Sequence, residues 1–500
     1  MSPVDQSFTA LPLHRLADAA LQRARDFDVS HADFRLERLR GQRLGLRDAE
    51  LEGVHDTDAV GFGVRVILDG TWGFASGVDL TAQEVVRVTE EAVRVAQVSA
   101  AISPVAVELV GEAVHADATW VSAYDVNPLD VPVAEKAETL TDWSRRVLAH
   151  EVVQHVSASL SQVVENKFYA DLAGTVTTQQ RVRLAPELTI HGIDRSGSRF
   201  DSMTTLAPPV GRGYEYVTGG YDWDTELAEL PDLLGQKLAA PTVEPGTYDL
   251  VVDPTNLWLT IHESIGHATE LDRALGYEAN YAGTSFATYD KLGSLRYGSE
   301  HLNITGDRTV EHGLSTIGYD DDGVAGQQWT IVDRGTLVGY QVDRSMAALK
   351  QMERSNGCAY ADSPRHFPVQ RMANVSLQPD PDGPSTAGLI GDVDNGIYVV
   401  GDKSWSIDMQ RFNFQFTGQR FYAIRGGELA GQLRDVAYQA TTTDFWGSMS
   451  AVGGPQTWRL GGTFSCGKAQ PGQSAPVSHG CPSAVFRGVR ILNTATESGR

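Results

Sequence analysis

The stretch Thr247–Asp272, TYDLVVDPTNLWLTIHESIGHATELD, carries a fold signal and a chemical one together. Thr247–Asp253 reads as a strand. Asp253 can then cap a helix, and Pro254 sits at the first helical position, where its missing N–H costs nothing. Leu257, Ile261 and Ile265 recur at spacings of four, an apolar stripe that packs a helix on a core. That helix carries His262, Glu263 and His267, and the histidines are one residue further apart than in the zinc motif H-E-x-x-H. In an ideal helix, residues five apart lie about 140° apart around the axis and about 7.5 Å along it. Two imidazole nitrogens, each about 2.0–2.1 Å from one zinc, cannot converge from there. A π-turn, with its i to i+5 hydrogen bond, brings the rings back toward one face. Gly266 makes such a distortion cheaper because it has no Cβ. A shared metal therefore demands a helix bulged or broken near Ser264–Gly266.

Glu263 follows the first histidine as in the standard motif, where the glutamate takes a proton from zinc-bound water. Glu270 falls seven residues on, on the same helical face, placed to orient a histidine ring or to ligate; beside Asp272, it also fits a solvated face. A catalytic zinc needs a third protein ligand, and by chemistry the candidates are Glu270, Asp272, Cys466, Cys481 and His479. Cys466 lies in LGGTFSCGKAQPGQSAPVSHGCPS, which reads as a glycine-rich loop with an accessible thiolate. His479 and Cys481, two apart, read as an exposed histidine and a buried cysteine rather than as a second site.

Outward from this stretch, the chain of 500 residues has room for two domains. Leu16–Ala24 has helical spacing, and Val60–Ala75 reads as two strands around Asp69-Gly70, a type I′ hairpin signal. Thr81-Ala-Gln-Glu84 opens a helix to about Gln97, and another spans roughly Val133–Ala149. The runs on either side of Asp171–Gly174 alternate as antiparallel strands with one wet face. A helix and a Pro/Gly connector end near 241. Beyond it come strand after strand and one or two helices. The fold class is α+β: an N-terminal α/β domain over 1–240, and a β-rich C-terminal domain over 241–500 that carries the metal-site helix.

The formal charge is −23, with no basic block, which argues against nucleic acid as a partner. The N-terminus lacks the pattern of a secretory signal, and no apolar run reaches about 18 residues, so no membrane span is expected. Three cysteines suit a reducing cytoplasm rather than a disulfide framework. Asp320, Asp321 and Asp322 lack EF-hand ligand spacing and read as a turn.

The segments HESIGHATELD (262–272), IGYDDDGVAGQ (317–327), NGCAYADSPRHFPVQRMANVSLQP (356–379), NGIYV (395–399) and CGKAQPGQSAPV (466–477) come in the order of the TldD/PmbA family of metallopeptidases, which this chain resembles. Having both H-E-x-x-x-H and the cysteine before Gly-Lys, it resembles the catalytic TldD type. Gln370-Arg-Met-Ala-Asn-Val375 departs from the family's usual Pro-Arg-Met-Thr-Asn-Thr, which implies a divergent branch. The resemblance implies zinc held by His262, His267 and Cys466, with Glu263 as general base. It also implies hydrolysis of short or unfolded peptides, and a dimer with a PmbA-like subunit; with the cysteine usage, the expected location is the cytoplasm. Glu270, Asp272 and Arg371 are candidates for supporting the site or touching substrate, although Arg371 also fits an internal ion pair. A zinc-stabilised, non-catalytic partner subunit and a different amide hydrolase are the competing readings. Cys358, His479 and Cys481 receive no role.

Overall fold

Alternation along four long strands decides how the first half packs. In His31–Arg47, Glu50–Leu68, Val153–Asp171 and Val176–Ile193, the buried apolar residues are mostly even-numbered, Phe34, Leu36, Val64, Leu160, Phe168 and Leu184 among them. Helices Leu13–Arg25, Ala82–Ser99, Val133–Leu148 and Trp223–Ala239 cover that face. The computed structural model describes residues 3–497 apart from 104, 195 and 198. The sheet runs in the order Thr71–Gly77, Glu50–Leu68, His31–Arg47, Val153–Asp171, Val176–Ile193 and Ala118–Val121, with Phe200–Thr204 also paired to Val176–Ile193. Asp69 and Gly70, both at positive φ (49° and 73°), make the type I′ turn that the sequence indicated.

The odd-numbered face is wet only at one end, as at Arg43, His155 and Glu187, which corrects the expectation from the alternation. It carries Asp33, Arg35, Glu37, Arg65, Glu165, Lys167, Arg181 and Arg183, all 5% exposed or less. The second half of the chain covers them. Asp321 bonds Lys167 Nζ at 2.8 Å, Asp322 pairs with Arg65 at 2.8 Å, and the Lys167 ammonium sits 4.1 Å from the centre of the Tyr360 ring. The Asp320–Asp322 run is a turn, as read, and also anchors the two halves together. Removing one partner from such a buried network leaves a charge uncompensated, at a cost of about 3–5 kcal/mol.

Beyond residue 245, strands Asn395–Ile407, Gly246–Val252, Ala484–Asn493, Val436–Thr441 and Asn413–Arg425 pair in turn. The last also pairs with the first, so the five close into a ring. Leu250, Val252, Ile397, Val399, Phe416 and Tyr438 pack in its core. Each fully buried side chain of this kind contributes about 1.5–3 kcal/mol. More helices interrupt this half than the sequence suggested, but none exceeds eight residues. Helix Pro254–Ile261 leaves the ring directly from Gly246–Val252 and packs against the hairpin of Arg459–Lys468 and Gln473–Cys481. These two elements build the site. Among the described residues no helix is long and apolar enough to cross a membrane.

Candidate metal centre

The helix begins as its sequence dictates: Asp253 accepts the Thr255 N–H at 3.0 Å, and Pro254 takes the first turn. At His262 it widens into a π-turn that runs to Gly266, closed by the His267 N–H on the His262 carbonyl. The bulge lies where the spacing required it. Gly266 serves it differently from the expectation, however. Its φ of −52° and ψ of −61° are ordinary for any residue. A Cβ there would stand 2.6 Å from Met372 Sδ, so glycine is needed for space rather than for backbone freedom.

The π-turn sets the two imidazoles 4.6 Å apart between ring centres. Cys466 reaches them from the hairpin. It is not in an accessible loop, as the glycines suggested, but on a strand and only 3% exposed. One ligand atom from each of His262, His267 and Cys466 lies within 4.8 Å of the other two. Among the described residues this is the His/Cys/Asp/Glu group with metal-binding spacing, so Cys481 and Cys358 stay buried thiols outside it. Burial pushes Cys358 up to about 11.

Three hydrogen bonds fix which imidazole nitrogens are free. His479 Nδ1 lies 2.8 Å from the Val375 carbonyl, which only accepts, so the proton is on Nδ1 and Nε2 is an acceptor. Burial holds His479 well below the usual histidine range, hence neutral. His262 Nδ1, 2.7 Å from that Nε2, must then donate, and His262 Nε2 keeps its lone pair. His267 Nδ1 meets Glu270 Oε2 at 2.9 Å and donates to it, which frees His267 Nε2. That nitrogen lies 3.5 Å from Cys466 Sγ. A tetrahedral zinc, with Zn–S about 2.3 Å and Zn–N about 2.0–2.1 Å, holds sulfur and nitrogen about 3.5 Å apart. The donor set fits zinc. Burial pushes the Cys466 thiol up, but it stays below its ordinary value, with the nearby Arg371 guanidinium favouring the thiolate.

Several of these partners were not legible beforehand. His479, read as exposed, is fully buried behind His262. Lys468, also buried, bonds Glu270 at 3.0 Å, Asp272 at 2.8 Å and the Gln370 carbonyl at 2.8 Å. Residues 466–468 read as a loop, which hid the period of two that sets Cys466 and Lys468 on one side of a strand. Glu270 is not helical but extended, with ψ of 118°, and still reaches His267. Arg371 forms no ion pair among the described residues; it donates to the carbonyls of Cys466 and Gln473 and so steadies the hairpin. Arg411, unremarked in the sequence, pairs with Glu263. Burial alone would push Glu263 up, but it stays below the usual carboxylate range, with the Arg411 guanidinium beside it favouring the ionised form.

Glu263, His262, His267 and Cys466 line a cleft of about 670 Å³, together with Trp405 and Arg411. Residues 245–493 match the family described as PmbA/TldA metallopeptidase C-terminal domain, and 32–96 match its domain 1. The chain belongs to the TldD/PmbA metallopeptidase family. A metalloprotease of Methanothermobacter thermautotrophicus is 28% identical over 93% of this chain and 96% of its own. A zinc metalloprotease TldD homolog of Saccharolobus solfataricus is 24% identical over 94% and 98%. In fold, the chain is similar to TldE of Thermococcus kodakarensis, with a TM-score of 0.70 over 95% of this chain and 100% of that one, at 16% identity. Within the TldD/PmbA family, then, this chain is a metallopeptidase, and its fold brings His262, His267 and Cys466 together on the wall of a cleft.

Proposed function

We propose that this protein is a zinc-dependent peptidase of short or unfolded peptides, with His262, His267 and Cys466 holding the metal and Glu263 as general base. The convergence of three ligand atoms within 4.8 Å, beside a carboxylate on the wall of a cleft, carries the reading. Zinc bound there supplies a Lewis acid toward a peptide carbonyl and lowers the pKa of a nearby water. Glu263 accepts the proton of the attacking water and passes it to the leaving amine. Arg411 keeps that carboxylate ionised and aimed. The Glu270 carboxylate and His479 hold the two ligand rings in the orientation and tautomer that leave Nε2 free.

Strand Arg459–Lys468 pairs with Gln473–Cys481 on one edge, and Leu460, Thr463 and Ser465 line the cleft. An extended peptide added along its other edge is held by main-chain hydrogen bonds, which suits substrates of varied sequence. A dimer with a PmbA-like subunit in the cytoplasm completes the reading, supported by the likeness to TldE and by three free cysteines. Light scattering on protein co-expressed with such a subunit tests it; two separate monomers would refute it.

The decisive test is hydrolysis of an unstructured fluorogenic peptide by Glu263→Gln. Loss of a general base lowers kcat by about 10²–10⁴-fold, with metal content unchanged. Full activity in the variant would overturn the mechanism.

A further inference from the structure

A second cavity, of about 700 Å³, opens at the Lys468 end of the network that supports the metal site. It falls in the size range of small-molecule sites. Its wall is one-sided in charge. Glu108, Asp272, Glu278 and Asp343 line it, Asp272 already paired with Lys468 at 2.8 Å, and among the described residues no lysine, arginine or histidine does. Tyr277 and Tyr281 stand at its rim with more than half their surface exposed, 58% and 54%. Trp72 and Phe367, further in, already hold the Arg65 guanidinium at 5.1 and 5.4 Å, which shows what these rings accept.

A cluster of acids alone does not make a site; Gln370 adds the second observation. It lines the cavity and is 1% exposed. Its Oε1 accepts the Asp272 N–H at 3.1 Å, which identifies the other terminal atom as the amide nitrogen. That Nε2 is buried with no hydrogen-bond partner. A buried donor left unmade costs about 1–3 kcal/mol, so it marks a place where a ligand acceptor belongs. Burial also raises Asp343, to about 6, as expected of a carboxylate that would gain from a nearby cation.

Carboxylates and aromatic rims select a guanidinium or ammonium group, and the unpaired amide selects a carbonyl or carboxylate oxygen attached to it. We propose that this cavity binds a basic amino-acid residue, free or within a peptide, at a site separate from the metal cleft. The side chain enters among Glu278, Asp343 and the two tyrosines, and the main-chain oxygen takes the Gln370 Nε2 hydrogen.

Calorimetric titration of the full chain tests this with three probes: Nα-acetyl-L-arginine amide, free L-arginine, and the neutral isostere Nα-acetyl-L-citrulline amide. The arginine probes bind and the citrulline probe does not. Tighter binding of the blocked residue assigns a peptide as the source, and tighter binding of free arginine assigns the amino acid. Glu278→Gln and Tyr281→Ala, made separately so that a folding defect in one does not obscure the other, each weaken binding about tenfold. Both leave zinc content and peptide hydrolysis unchanged. No binding of either arginine probe, equal binding of citrulline, or undiminished affinity in both variants overturns the proposal.

Discussion

Replacing His479 by leucine removes the acceptor that holds the His262 Nδ1 proton, without touching a metal ligand. In the native protein the chain runs from the Val375 carbonyl to His479 at 2.8 Å and from His479 to His262 at 2.7 Å. Both links are fully buried, so water does not replace them in the variant. Losing the partner that orients a ligating histidine typically costs 10–100-fold in metal affinity, or about 1.4–2.7 kcal/mol. Stability of the metal-free protein falls as well, by about 1–3 kcal/mol, because the His262 N–H is left unsatisfied. His479→Gln offers an amide oxygen near the position of Nε2 and restores part of both. Chelator competition gives the zinc affinity, and thermal unfolding of the stripped protein gives the stability. The two must be read together: a purely structural His479 lowers stability and spares affinity. Native zinc affinity in His479→Leu would refute the tautomer argument.

Gly266→Ala forces a Cβ against Met372 Sδ and costs about 1–3 kcal/mol by overpacking, with weaker zinc retention as the π-turn shifts. Adding Met372→Ala makes room and restores zinc; failure of that rescue, measured by metal content, counts against the space argument. Glu165 sits between the halves: burial pushes it up, but Arg181, Arg183 and Lys167 hold it far below the usual carboxylate range. A depressed folded pKa gives stability that is present above the unfolded value, about 4.3, and lost as pH falls toward the folded one. Native protein should therefore lose stability more steeply below about pH 4 than Glu165→Gln does, as followed by acid titration of the fluorescence; parallel curves would refute it.

The periodic parts of this fold were legible. Period-two runs gave the long strands, and the capping residues Thr81 and Asp253 gave two helix starts. The bulge at 262–266 followed from helix geometry alone, since His262 and His267 cannot otherwise share a metal. What failed was burial of polar residues. The charged face of the first sheet looks solvated in sequence because nothing local reveals that Asp321 and Tyr360, more than 150 residues later, will cover Lys167. His479 and Lys468 were missed for the same reason. Their partners His262 and Glu270 are 217 and 198 positions away. Glycines around Cys466 suggested a loop, whereas Gly461 and Gly462 let the strand lie close: a Cβ at Gly461 would stand 2.2 Å from the Trp258 ring.

In the proposed site, a π-bulged helix and a distant strand together hold one metal ion. Elemental analysis of purified protein beside Cys466→Ala tests it most directly. Roughly one zinc per native chain is expected, and loss of most of it in Cys466→Ala, with the fold retained by circular dichroism. Stoichiometric zinc that persists without the Cys466 thiolate, or native protein without metal affinity, would contradict it.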